Sequence, residues 1–81
     1  MMSLDLHRLL VQEAKEKILD FIDKAVANGE AVVRLIHGFN HGLKIKNMIL
    51  RLSSKDHPAI QTIQPELGNS GSTLIYLKYF D

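Results

Sequence analysis

"EAVVRLIHGFNHGLK", residues 30 to 44, decides how the chain folds. Its first half is a nearly continuous apolar run, with Val32, Val33, Leu35 and Ile36, the pattern of a central buried strand. Two histidines, two glycines and an asparagine follow. A new apolar periodicity then starts near Gly42 or Leu43. A connection that only reversed direction could use a turn dipeptide. The composition of this junction points to a site as well as a turn.

On the N-terminal side, "MMSLDLH" (1–7) alternates Leu4 and Leu6 with Asp5 and His7, a short strand pattern. Residues 9–29 carry Leu10, Val11, Ala14, Ile18, Phe21, Ile22 and Ala25 at spacings of three and four. That spacing predicts an amphipathic helix, supported by Glu13–Lys17 and Asp20–Lys24 pairs and stopped by Asn28-Gly29. On the C-terminal side, Ile45, Met48, Ile49 and Leu52 mark the inner face of a second helix running to about Ser53. "SSKDHP" (53–58) is a polar connection, with His57 read as a surface residue. "AIQTIQP" (59–65) reads as an edge strand, "ELGNSGS" (66–72) as a glycine-rich loop, and "TLIYLKYF" (73–80) as the last strand.

The order is therefore β-α-β-α-β-β. A right-handed crossover makes the first two strands parallel, and the short last loop suggests an antiparallel pair. Two helices are enough to cover one face of four strands, so the predicted fold is an α/β two-layer sandwich with a mixed sheet. Eighty-one residues make one small domain, spanning 1–81, which buries roughly 60–65% of its unfolded surface. The absence of Cys removes disulfides and thiolate metal sites and fits a reducing compartment. The first residues hold no apolar run for a signal peptide, and no stretch approaches the ~18 apolar residues of a membrane span. A cytoplasmic protein without membrane contact is expected. The net charge of +1 is too small to announce nucleic acid, so any basic footprint must be local.

Parallel strands end on one edge of the sheet, and ligands settle outside those ends. His7 closes the first strand and His37 the second, about 5 Å apart if the strands are neighbours. Asp5, two residues from His7, can orient its imidazole. Lys44 and Lys46 lie in the first turns of the second helix, where the helix dipole disfavours cations unless an anion is bound. Gly38 and Gly42 permit close backbone approach. Together these describe a pocket for a phosphodiester. His37 and His41 have an H-x3-H spacing used by zinc, yet no Cys helps, a glycine intervenes and no third ligand is evident, so no metal ligand is assigned.

The boxes Asp5-Leu6-His7 and His37-Gly38-Phe39-Asn40, with Glu13-Ala14 on the helix between them, resemble the Smr (small MutS-related) domain family over nearly the whole chain. That resemblance implies a fold similar to the C-terminal domain of bacterial translation initiation factor three, with strand order 1-2-4-3 and the last strand antiparallel to the rest. It also implies nucleic-acid binding and, in many members, endonuclease cleavage of DNA or RNA. The residues it singles out for catalysis are Asp5, His7 and His37. Nucleic-acid contacts are expected from Arg8, His37, Gly38, Phe39, Asn40, His41, Gly42, Lys44 and Lys46. Two positions depart from the family pattern: Arg8 stands where a glycine usually follows the first box, and Asn40 where a glycine ends the second. On RNA, histidine acid–base chemistry suffices. On DNA the attacking group is water, which more often calls for a divalent metal such as Mg²⁺, with Asp5 the best available ligand. The alternative is a non-catalytic module that binds nucleic acid or the ribosome, and a third reading is a protein-interaction domain with structural histidines.

Overall fold

The computed structural model describes residues 1–39 and 43–78. Its elements run β1 (Met2–Asp5), α1 (Val11–Ala27), β2 (Val32–Ile36), α2 (Leu43–Leu50), β3 (Ile60–Pro65) and β4 (Ser72–Leu77). The sheet order is β1-β2-β4-β3. β1 pairs with β2 in parallel, and β4 runs antiparallel to both of its neighbours. This is the α/β architecture that the apolar patterning predicts, with β2 central and β3 at an edge. Pro65, which has no N–H to donate, sits on that edge strand, where its loss costs no inner ladder bond.

Why these segments form these elements is visible at their ends. Leu10 precedes α1 without a side-chain acceptor, so Glu13 satisfies the free Leu10 N–H instead, at 3.0 Å. At the other end Gly29 takes φ 73° and donates to Val26 O, while Glu30 N–H reaches back to Ala25 O. This closing motif needs a residue tolerant of left-handed backbone, and glycine supplies it. Between the caps, Ala14, Ile18, Ile22 and Ala25 form one fully buried stripe. It packs with Val33, Leu35, Ile49, Ile75 and Leu77 into a single core.

The second helix stops at Leu50, three residues short of the predicted end at Ser53. Arg51 and Leu52 donate three residues back, to Met48 O and Ile49 O, at 3.1 and 3.0 Å. That tighter turn still buries Leu52 and so keeps the apolar period that suggested a longer helix. The Asp56 carboxylate then accepts from Ser53 N–H at 2.9 Å and shapes the connection to β3. His57, read as a surface residue, is a tie between elements. Its side chain is only 14% exposed, its Nε2–H donates to Asp23 of α1 at 2.7 Å, and its Nδ1 accepts from Ala59 N–H. Among the described residues no helix is long and apolar enough to cross a membrane.

Both helices lie over the face of the sheet that carries Val33, Leu35 and Ile75. On the opposite face a side-chain fork binds β2 to the β3–β4 loop. Arg34 donates through Nε and Nη2 to the two oxygens of Glu66, at 2.7 and 2.6 Å, and the Ser72 hydroxyl adds a third bond. Arg34, with help from Ser72, holds the Glu66 carboxyl at about 2, below its ordinary 4.5. A carboxylate with a depressed folded-state pKa contributes stability that is complete above 4.5 and lost as pH falls toward about 2. Glu66→Gln should therefore remove part of the acid sensitivity in that window. Urea midpoints measured from neutral pH down to about 2 should fall less steeply for the variant than for the wild-type chain.

Candidate functional site

β1 ends at Asp5, and the chain then turns sharply through His7 and Arg8. Leu6 between them is fully buried and anchors the turn from below. Asp5 Oδ1 accepts both the backbone N–H of His7, at 2.9 Å, and its ring Nδ1–H, at 2.7 Å. The first bond is the turn that an aspartate makes with the residue two positions on. It also holds the Asp5 carboxyl below the usual carboxylate range, with the ring contact adding to the effect. One oxygen thus sets the backbone and the ring together. With Nδ1–H committed to Asp5, Nε2 is the ring atom left free for chemistry, on a side chain that is 54% exposed.

The second box meets the first from below. Gly38 has φ 91°, and a Cβ placed on it would lie 2.7 Å from His7 Nε2 and Cδ2. A side chain here would be strained by the backbone conformation and would have to push the His7 ring from its place. The Gly38 turn is held in turn by Gly71, whose carbonyl accepts from His37 N–H and Gly38 N–H, each at 3.0 Å. The glycine-rich loop therefore buttresses the junction.

His37 is placed differently from His7. It is 2% exposed, its Nδ1–H donates to Gly38 O and its Nε2 contacts the Thr73 hydroxyl, each at 2.9 Å. Burial pushes its pKa below the usual imidazole value, against the Gly38 bond, and the charge of Lys46 lowers it further. A neutral ring with Nδ1–H on a carbonyl must accept from Thr73 through Nε2, so both nitrogens are used within the protein. The two histidines expected to serve one ligand share an edge but differ there: both His37 ring nitrogens are bonded within the protein, while His7 is half exposed and its Nδ1 is bonded to Asp5. Thr73 is the residue that sequence reading missed. Its signal was a hydroxyl-bearing side chain at a core position, opposite Leu35 in the register.

The basic residues also separate. Arg8 follows His7 with φ 64°, a left-handed backbone under an arginine. The charge of Lys46 is felt at His37. Lys44, two residues earlier, instead lines a groove of about 500 Å³ between α1 and α2 with Lys15, Met48 and Arg51. Phe39 is 75% exposed. Asn40, His41 and Gly42 lie outside the described residues. Among the described residues no three His, Asp or Glu side chains converge on one point.

The family model of the Smr domain matches residues 4–78. Endonuclease MutS2 of Aquifex aeolicus (strain VF5) is 34% identical over 71 residues, covering 85% of this chain and 9% of that much longer protein. The crystal structure of the Smr domain of Thermus thermophilus MutS2 superposes with a TM-score of 0.82 at 25% identity, covering 96% of this chain and 99% of that one. YdaL, a stand-alone small MutS-related protein from Escherichia coli, gives 0.78 at 27% identity, over 94% of this chain and 63% of its own.

Two substitutions test this construction through stability. Thr73→Val keeps the shape but leaves the buried His37 Nε2 without its donor, which should cost ~1–3 kcal/mol in chemical denaturation. Arg8→Gly should do the reverse. It removes a left-handed penalty of roughly 1–2 kcal/mol and adds about 0.4–1 kcal/mol of unfolded-chain entropy, so a net gain between about 0 and 1.6 kcal/mol is expected. A loss of stability in Arg8→Gly would mean that the arginine side chain holds the turn.

Proposed function

The chain belongs to the Smr domain family, and from that premise we propose that it binds nucleic acid across the edge where β1 and β2 end and cleaves a phosphodiester with His7 as general base. The observation that carries the reading is the Asp5–His7 pair, a half-exposed ring with Nδ1 bonded to a carboxylate and its Nε2 edge packed over the bare backbone of Gly38. Asp5 fixes the tautomer and ring orientation and stabilises the imidazolium once it forms. On RNA, Nε2 takes the proton of the 2′-hydroxyl, the 2′-oxygen attacks phosphorus, and the bond from phosphorus to the 5′-oxygen breaks. The leaving oxygen takes a proton from the imidazolium or from water. Arg8 and Lys46 supply cations for the neighbouring phosphates.

His37 enters this reading as a positioning residue. It holds the Gly38 carbonyl and thereby the surface on which the His7 ring rests. On DNA a water must attack, and a divalent metal such as Mg²⁺ would supply its activation. Asp5 is the carboxylate that could hold such an ion, since Mg²⁺ binds through one or two carboxylates and keeps its remaining waters or phosphate oxygens.

The test compares rate with affinity in the same variants. His7→Ala should reduce cleavage by ~10²–10⁴-fold, and Asp5→Asn should also impair it. Affinity should change far less, and circular dichroism should show the fold retained. Replacing Arg8 or Lys46 with a neutral residue should flatten the plot of log affinity against log salt by about 0.7–0.9 per lost contact. A wild-type chain that binds but cuts neither RNA nor DNA, with or without added Mg²⁺, would replace this reading with a binding module. Equal cleavage by His7→Ala would leave a nuclease with a different base.

A further inference from the structure

The backbone leading into Phe39 is tied down on its N-terminal side. Gly71 O ties the two residues before it, His37 bonds Gly38 O, and a Cβ on Gly71 would lie 3.7 Å from Phe39 N. Its Cα is about 3.8 Å from that of Gly38, the residue whose missing Cβ would sit 2.7 Å from His7 Nε2. The ring itself is 75% exposed. A single exposed apolar side chain needs no explanation by itself. An aromatic one on a pinned root, one residue from the free nitrogen of an Asp–His pair, is a different matter. The other large apolar side chains exposed among the described residues, such as Leu10, Leu43 and Leu67, are aliphatic and offer no flat π-face.

The charges next to the two histidines set the occupant: Arg8 directly follows His7, and the charge of Lys46 acts on His37. Arg8 and Lys46 are cationic, while the carboxylate of Asp5 is already engaged by His7. Cations for a backbone and an aromatic face for a base are the two parts of a single-strand binding site. We propose that Phe39 is a stacking platform for an unpaired nucleobase, which sets the adjoining phosphodiester against His7 and makes single-stranded nucleic acid the substrate. This rests on the nucleic-acid reading above and adds the strand type to it. In a duplex each internal base has both faces covered by its neighbours, so an intact helix has nothing to give Phe39.

The probe is a short 2′-O-methyl oligonucleotide, which lacks the attacking hydroxyl, used with chelator in three forms: single-stranded, annealed into a duplex, and with abasic sites in place of bases. Phe39→Ala should weaken single-strand binding by about 5- to 150-fold, the range for loss of one base–aromatic stack. Phe39→Trp should restore it, Phe39→Leu should not, and duplex and abasic affinities should stay unchanged. Unchanged single-strand affinity in Phe39→Ala, an equal loss on all three probes, or full rescue by leucine would overturn the proposal while leaving the nucleic-acid reading in place. If the wild-type chain binds none of the three, that reading fails and the stacking role fails with it.

Discussion

Leu6 N–H donates to Ile36 O at 2.8 Å, one rung beyond the last paired residues of β1 and β2. That bond closes a parallel ladder in which Asp5 faces Ile36, so the two strands release their chains side by side at the same height. Everything at the site follows from this register. A slip of one residue would turn Leu4 and Leu6 out of the core and carry Asp5 and His7 to the wrong side. Leu6 and Leu35 are fully buried and oppose such a slip on both strands. Because His7 and Gly38 leave their strands together, a ring from one can rest on the bare backbone of the other.

The two histidines at this edge are chemically alike and physically opposed. His7 lies half in solvent with one nitrogen committed to a carboxylate. His37 lies in the core, held neutral by burial, with its nitrogens shared between a carbonyl and a hydroxyl. The buried one makes the exposed one possible. His37 shapes the Gly38 turn, the Gly38 turn leaves room for the His7 ring, and Asp5 fixes that ring through Nδ1.

Much of this was legible in the sequence. Spacings of three and four in residues 9–29, the apolar run at 32–36 and the short last loop were enough for element order, parallel start and antiparallel finish. So was the edge bearing His7 and His37, because strand ends in a parallel pair must coincide. What escaped depends on partners far away in the chain. His37 is turned inward by Thr73, 36 residues on, and His57 is held by Asp23, 34 residues back. The left-handed φ of Arg8 is invisible in a one-letter code. Lys44 and Lys46 are a different case. Residues two apart on a helix do not face the same way, and the separation of Lys44 into the α1–α2 groove could have been read from spacing alone.

The central claim is that His7, and not His37, meets the phosphodiester. Long-range nitrogen–proton NMR of the two imidazole rings tests it directly, recorded before and after addition of a non-cleavable oligonucleotide. In the free protein both rings should show the tautomer protonated at Nδ1, since each donates through that atom. On binding, the His7 ring signals should move while those of His37, bonded to Gly38 and Thr73, stay in place. Movement confined to His37, with His7 unaffected, would contradict the account.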